Sequence, residues 1–199
     1  MILTNTRLRD ELTGLVESSS GLEDVLVFGS VVRGKRKPSD VDVLVLFAES
    51  VDKPVELKVR KIIEGHFPDV STVSKTLKTA VEASFDARES VLFEARSLIT
   101  GENLAERYGF VSWGMFKYSF GDWSKLQKTK FYHALNGRGG SEGVLSSVDG
   151  VKLSDGVVLV PLGAVEEFRE FIEKWGLEFI YVPVMLPARM ARKGILGVL

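Results

Sequence analysis

Cysteine is absent from this chain of 199 residues, which excludes disulfides and thiolate metal sites. His66 and His133 are its two histidines, too few for a multi-histidine zinc centre. Long apolar runs are missing as well. No window approaches the roughly 18 to 20 uninterrupted apolar residues of a membrane span, and the N-terminal stretch TRLRDELTGLVESSSG lacks the apolar core of a signal peptide. A cytoplasmic protein with no membrane partner is therefore expected. Nor is there an excess of charge of one sign. With 26 basic and 27 acidic residues the formal net charge is -1, so any attraction for a polyanion has to come from a local patch. What is present is ordinary globular composition, 45% hydrophobic and 27% charged, which argues against disorder.

Leu8, Leu12, Leu15 and Val16 recur at helical spacing, so a helix precedes Ser18-Ser19-Ser20-Gly21. Val25 to Phe28 and Val41 to Phe47 are short apolar runs of the kind that form buried strands. Pro54 suits the first turn of a helix reaching about His66, with Val55, Val59, Ile62 and Ile63 inward. Asp69 to Ser74 reads as a third strand. A long helix is expected from about Leu77 to Thr100, closed by Gly101, followed by a short helical piece holding Leu104, Tyr108 and Phe110. The order predicts an α/β (α+β) fold, a small mixed sheet covered by helices. Composition shifts near residue 110, which divides the chain into 1–110 and a smaller α+β module at 111–199. That module reads as an aromatic helical stretch, a glycine-rich loop (NGRGGSEG) and a hairpin turning at Asp155-Gly156. An amphipathic helix in AVEEFREFIEKWG and a strand from Leu177 to Met185 complete it.

The informative segment is FGSVVRGKRKPSDVDVLVLF, residues 28 to 47. Asp40 and Asp42 are two apart at a strand entrance, so they point to one side of the sheet. Carboxylates held that close repel unless a cation lies between them, and a hard divalent ion such as Mg²⁺ keeps positions for phosphate oxygens. Gly29 permits a tight turn after its strand, and Ser30 then offers backbone N–H groups and a hydroxyl to a phosphate. Arg33, Lys35, Arg36 and Lys37 add positive charge. Together these parts suit a nucleoside triphosphate with metal between its phosphates and the aspartates. Each part alone has a plain explanation, turn chemistry or a solvated basic loop. Their joint order is what is specific.

Gly29-Ser30, Arg33-Gly34 and Ser39-Asp40-Val41-Asp42 resemble the signature of the nucleotidyltransferase superfamily that includes DNA polymerase β, and particularly its small prokaryotic and archaeal members. The resemblance covers roughly residues 22 to 100. It implies attack of an acceptor hydroxyl on the α-phosphorus of an NTP, ATP first among them, with release of pyrophosphate. It further implies that Asp40 and Asp42 ligate two Mg²⁺ ions, Mn²⁺ being an alternative, and that Gly29 and Ser30 hold the β and γ phosphates. Arg33 could touch phosphate or pair with a carboxylate of the fold, and Lys35 stands beside it. A third carboxylate on a neighbouring strand is usual in catalysing members. Asp69 is the candidate, because the strand interior offers Ser71, Thr72 and Ser74 instead.

The acceptor is left open, RNA and protein among the choices. Two other readings stand beside an active enzyme: the nucleotidyltransferase half of a toxin–antitoxin pair, and a regulatory protein that binds nucleotide without turning it over. Aromatics interleaved with Lys125, Lys128, Lys130 and Arg138 could contact nucleic acid, although helical packing explains most of the rings. His66 suits a helix end and His133 half-buried packing. The apolar tail GILGVL leaves an oligomer open.

Overall fold

The computed structural model describes residues 2–35, 40–191 and 196. Helix α1 (Thr6–Ser18) starts where the Asn5 side chain accepts the Leu8 N–H. Its apolar stripe buries Leu8 and Leu12. Strand β1 (Leu22–Phe28) runs antiparallel to β2 (Val41–Phe47). Helix α2 (Lys53–Glu64), capped by Asp52 and opened by Pro54, crosses over to β3 (Val70–Thr76), which is parallel to β2.

Residues 77 to 100 are not one long helix. A 3-10 turn (Thr79–Val81), a short helix α3 (Arg88–Glu94) and a two-residue strand β4 (Arg96–Ser97) replace it. At its start the Thr76 N–H donates to the Thr79 hydroxyl and the Thr79 N–H to the Thr76 hydroxyl, bonds that compete with a helical ladder. At its end, Arg96–Ser97 pairs antiparallel with the open edge of β1. Gly101, at φ +77, ends a turn after that strand, not a helix. Helix α4 (Leu104–Arg107) follows.

The resulting sheet has the order β3-β2-β1-β4. Leu26, Leu44 and Val73 share one face with Phe85, Val91 and Ala95. Val25, Val27, Val43, Val45 and Phe47 fill the other. Full burial of each such side chain is worth about 1.5–3 kcal/mol, which fixes the register through the alternation of faces.

The chain divides into two compact units, Met1–Val32 with Arg36–Tyr108, and Arg33–Lys35 with Gly109–Leu199. In the second unit the aromatic stretch expected to be helical begins as strand β5 (Phe110–Ser119) and only then becomes helix α5 (Lys125–Asn136). Phe116 and Tyr118 alternate inward while Lys117 and Ser119 are exposed, a period of two that overrides the aromatic count. The glycine-rich loop is a small hairpin, β6 (Gly137–Arg138) with β7 (Ser141–Glu142), followed by α6 (Val144–Ser147). The expected hairpin is β8 (Val151–Ser154) and β9 (Val157–Pro161), then come α7 (Val165–Lys174) and β10 (Glu178–Pro187). Their antiparallel sheet has the order β10-β5-β9-β8. Phe116, Phe131 and Phe168 are fully buried in its core, where Phe116 and Phe168 meet edge to face at 5.1 Å. Of the tail GILGVL only Leu196 is among the described residues.

Candidate functional site

Four segments of the first unit come together at one end of its sheet. Phe28 ends β1 opposite Asp42, and Asp42 is level with Ser71 on its other side. Paired residues of neighbouring strands point to the same face, so Phe28, Asp42 and Ser71 form one row. One step further out, the Val41 N–H donates to the Asp69 carbonyl at 2.9 Å. The parallel register, continued by one residue, sets Asp69 level with Asp40. Asp40 and Asp69 are exposed and Asp42 is half-buried, so the row opens to solvent at its acidic end.

Gly29 explains why Asp42 sits where it does. Its φ is +84, a left-handed conformation that a side chain disfavours, and a Cβ placed there would lie 2.8 Å from Asp42 Oδ2. The carboxylate occupies the space a larger residue would fill. After Gly29 the chain turns through residues 30–34, with the Val32 N–H donating to the Gly29 carbonyl at 3.1 Å. Ser30 is half-buried in that turn.

Sequence reasoning passed over Glu94. It closes α3, is only 3% exposed, and its Oε1 accepts the Gly29 N–H at 3.0 Å. The signal was available: Glu94 lies three residues after Val91, on the face that helix turns to the core. An acid on an apolar helical face is a polar group buried for a reason.

Arg33 pairs with a carboxylate of the fold. Its Nε donates to Glu166 Oε1 at 3.0 Å, and its carbonyl accepts the Glu166 N–H, all within the second unit. Lys35, exposed, belongs to that unit too. Arg36, Lys37 and Ser39 lie outside the described residues. Among the described residues no three His, Asp or Glu side chains gather as a metal cluster. The paired arrangement of Asp40 and Asp42 still fits a divalent ion: two hard oxygen donors on one face, the first exposed and the second half-buried, beside a corner kept clear by glycine.

Neither histidine is part of this row. His66 follows α2, with Nδ1 3.1 Å from Asn5 Nδ2 and Nε2 3.6 Å from Glu11. Arg7 and His66 together hold the Glu11 carboxyl below its ordinary pKa. His133 is half-buried on α5.

The nucleotidyltransferase domain family matches residues 9–97, the span from α1 to β4. The site just described lies wholly inside it. No curated protein matches the chain. Similar solved structures include a crystal structure of a toxin–antitoxin with AMP-PNP, 19% identical over 50% of this chain and 78% of that one, with a TM-score of 0.36. Another is a tri-AMPylated Shewanella oneidensis HEPN toxin in complex with an MNT antitoxin, 20% identical over 52% and 77%, with a TM-score of 0.33. Likeness at these scores adds nothing to the assignment of the nucleotidyltransferase domain, which rests on the family match. Among the described residues no helix is long and apolar enough to cross a membrane.

Proposed function

We propose that the nucleotidyltransferase domain moves a nucleoside monophosphate from an NTP to an acceptor hydroxyl. The observation that carries this is the seating of Asp42 against the side-chain-free Gly29, with Asp40 on the same face and the Ser30 turn alongside. Asp40 and Asp42, with Asp69 beside Asp40, are the residues that would hold Mg²⁺ or Mn²⁺. Such an ion, when bound, neutralises phosphate charge and acidifies a nearby hydroxyl. The Ser30 hydroxyl and the turn that follows receive the phosphate tail. The acceptor oxygen bonds to the α-phosphorus, and the bond from that phosphorus to the oxygen bridging to the β-phosphate breaks. Pyrophosphate leaves, and the hydroxyl proton passes to Asp69, which is exposed and level with Asp40.

A second reading has one observation in its favour. The residue level with Asp42 on β3 is Ser71, a hydroxyl where a further acid would help turnover, which suits a nucleotide sensor. Incubation with Mg²⁺ and each labelled NTP, with and without cellular RNA and protein, separates the two. Transfer of label with pyrophosphate release, lost in Asp42→Ala, supports the transferase. Tight nucleotide binding without pyrophosphate under every condition supports the sensor instead.

A further inference from the structure

We infer that Glu94 is the positioning residue of the phosphate corner, holding Gly29 in the one conformation that leaves room for Asp42. Three observations converge. First, the chain order brings it there: Glu94 ends α3 two residues before Arg96, whose strand pairs with β1 at Val27, two residues before Gly29. Second, the contact is made, with the Gly29 N–H donating to Glu94 Oε1 at 3.0 Å across 65 residues of sequence. Third, the side chain sits where an acid is doubly disfavoured. It is only 3% exposed, and it occupies the last position of α3, where the peptide dipoles repel negative charge. The charge-assisted hydrogen bond from the Gly29 N–H offsets part of those costs.

The consequence follows from Gly29 having no side chain to hold it. Glycine has the widest choice of φ, so a corner built on it is ordered only by what its backbone binds. Its carbonyl is engaged by Val32 and its N–H by Glu94. With both fixed, φ stays at +84, the Asp42 carboxylate keeps its seat, and Ser30 is aimed before any ligand arrives. Glu94 touches neither substrate nor metal in this scheme. It works by preorganisation, which lowers the entropy lost on binding. The inference rests on the nucleotide-binding reading of the same corner.

Two substitutions separate acceptor position from charge. Glu94→Gln keeps an acceptor oxygen at the same reach without the charge. Glu94→Asp keeps the charge but withdraws the oxygen by one methylene. The full chain is titrated with a fluorescent non-hydrolysable NTP analogue in Mg²⁺, and exchange of the Gly29 amide is followed by NMR without ligand. Positioning predicts that Glu94→Asp weakens analogue binding about tenfold and exposes the Gly29 amide to exchange, while Glu94→Gln stays within about threefold of wild type on both. It also predicts that KM for NTP rises in Glu94→Asp with kcat at saturation little changed. Equal binding by Glu94→Asp and wild type overturns the inference alone, as does a Gln variant weaker than the Asp variant. Absence of analogue binding by the wild-type protein overturns the nucleotide reading and this inference with it.

Discussion

The two units of this chain bury different things. The first fills its sheet with aliphatic side chains, Val25, Leu26, Val27, Val43, Leu44 and Val45, each at 0% exposure, yet also encloses two carboxylates, Asp24 and Glu94. The second is built on rings, Phe116, Phe131 and Phe168. Among its described residues the buried polar or charged group is a serine, Ser112. Branched aliphatics pack into a thin, regular sheet whose ends stay accessible to polar chemistry. Interlocked rings fill volume and specify shape.

That contrast can be broken at several places. The largest effect is expected from Asp42→Ala, which should cut label transfer about 10⁴-fold, about 5 kcal/mol of barrier, if the carboxylate holds the metal. Urea melts should show a far smaller effect on its stability. The reverse pattern is expected of Phe131→Ala in the second unit. Fully buried among rings, it should lose about 3–5 kcal/mol in denaturant titration. Gly29→Ala tests the corner where stability and chemistry meet. A φ of +84 and an Asp42 oxygen 2.8 Å from the new methyl should cost about 1–3 kcal/mol and much of the nucleotide binding, read by calorimetry on the variant.

Smaller effects sharpen the comparison. Arg107 Nη2 donates to Asp24 Oδ2 at 2.6 Å, and Ser97 Oγ donates to Asp24 Oδ1 at 2.7 Å. Arg107→Ala leaves that buried carboxylate short of a partner and should cost about 1–3 kcal/mol in thermal unfolding. Lys152→Ala removes the exposed ion pair with Asp155 and should stay within about 0.5 kcal/mol. A second unit as sensitive to the loss of Lys152 as the first is to the loss of Arg107 would erase the distinction.

How much of this was written legibly in the chain depends on where each signal resides. Strands β1 and β2, helices α1, α2 and α7, and the Asp155-Gly156 hairpin announce themselves because propensity, caps and turn residues agree locally. The stretch from Leu77 to Thr100 does not. Its helical spacing is real, but β1 has a second edge that Arg96–Ser97 pairs with, and that demand is non-local. Strand β5 misled for a related reason: a dense run of aromatics fits two periods, and the choice is made by β9 and β10 on either side. At the site, Asp40, Asp42, Gly29 and Ser30 were legible as one contiguous motif. Glu94 was legible as an acid on an apolar helical face, but the 65 residues between them hid Gly29 as its partner. Asp69 and Ser71 could be named beforehand, but which of them stands level with Asp42 is a matter of register, and the register sets Ser71 there.

The order in which the strands occur along the chain also sets a timetable. Gly29 is translated early, but the acid that steadies it arrives only with the closing residues of α3, and β1 gains its second neighbour only with Arg96–Ser97. A nascent chain leaving the ribosome cannot finish the Gly29 corner until nearly the whole of residues 9–97 has emerged. Truncations that stop before residue 94 will therefore carry the signature residues without a steadied corner.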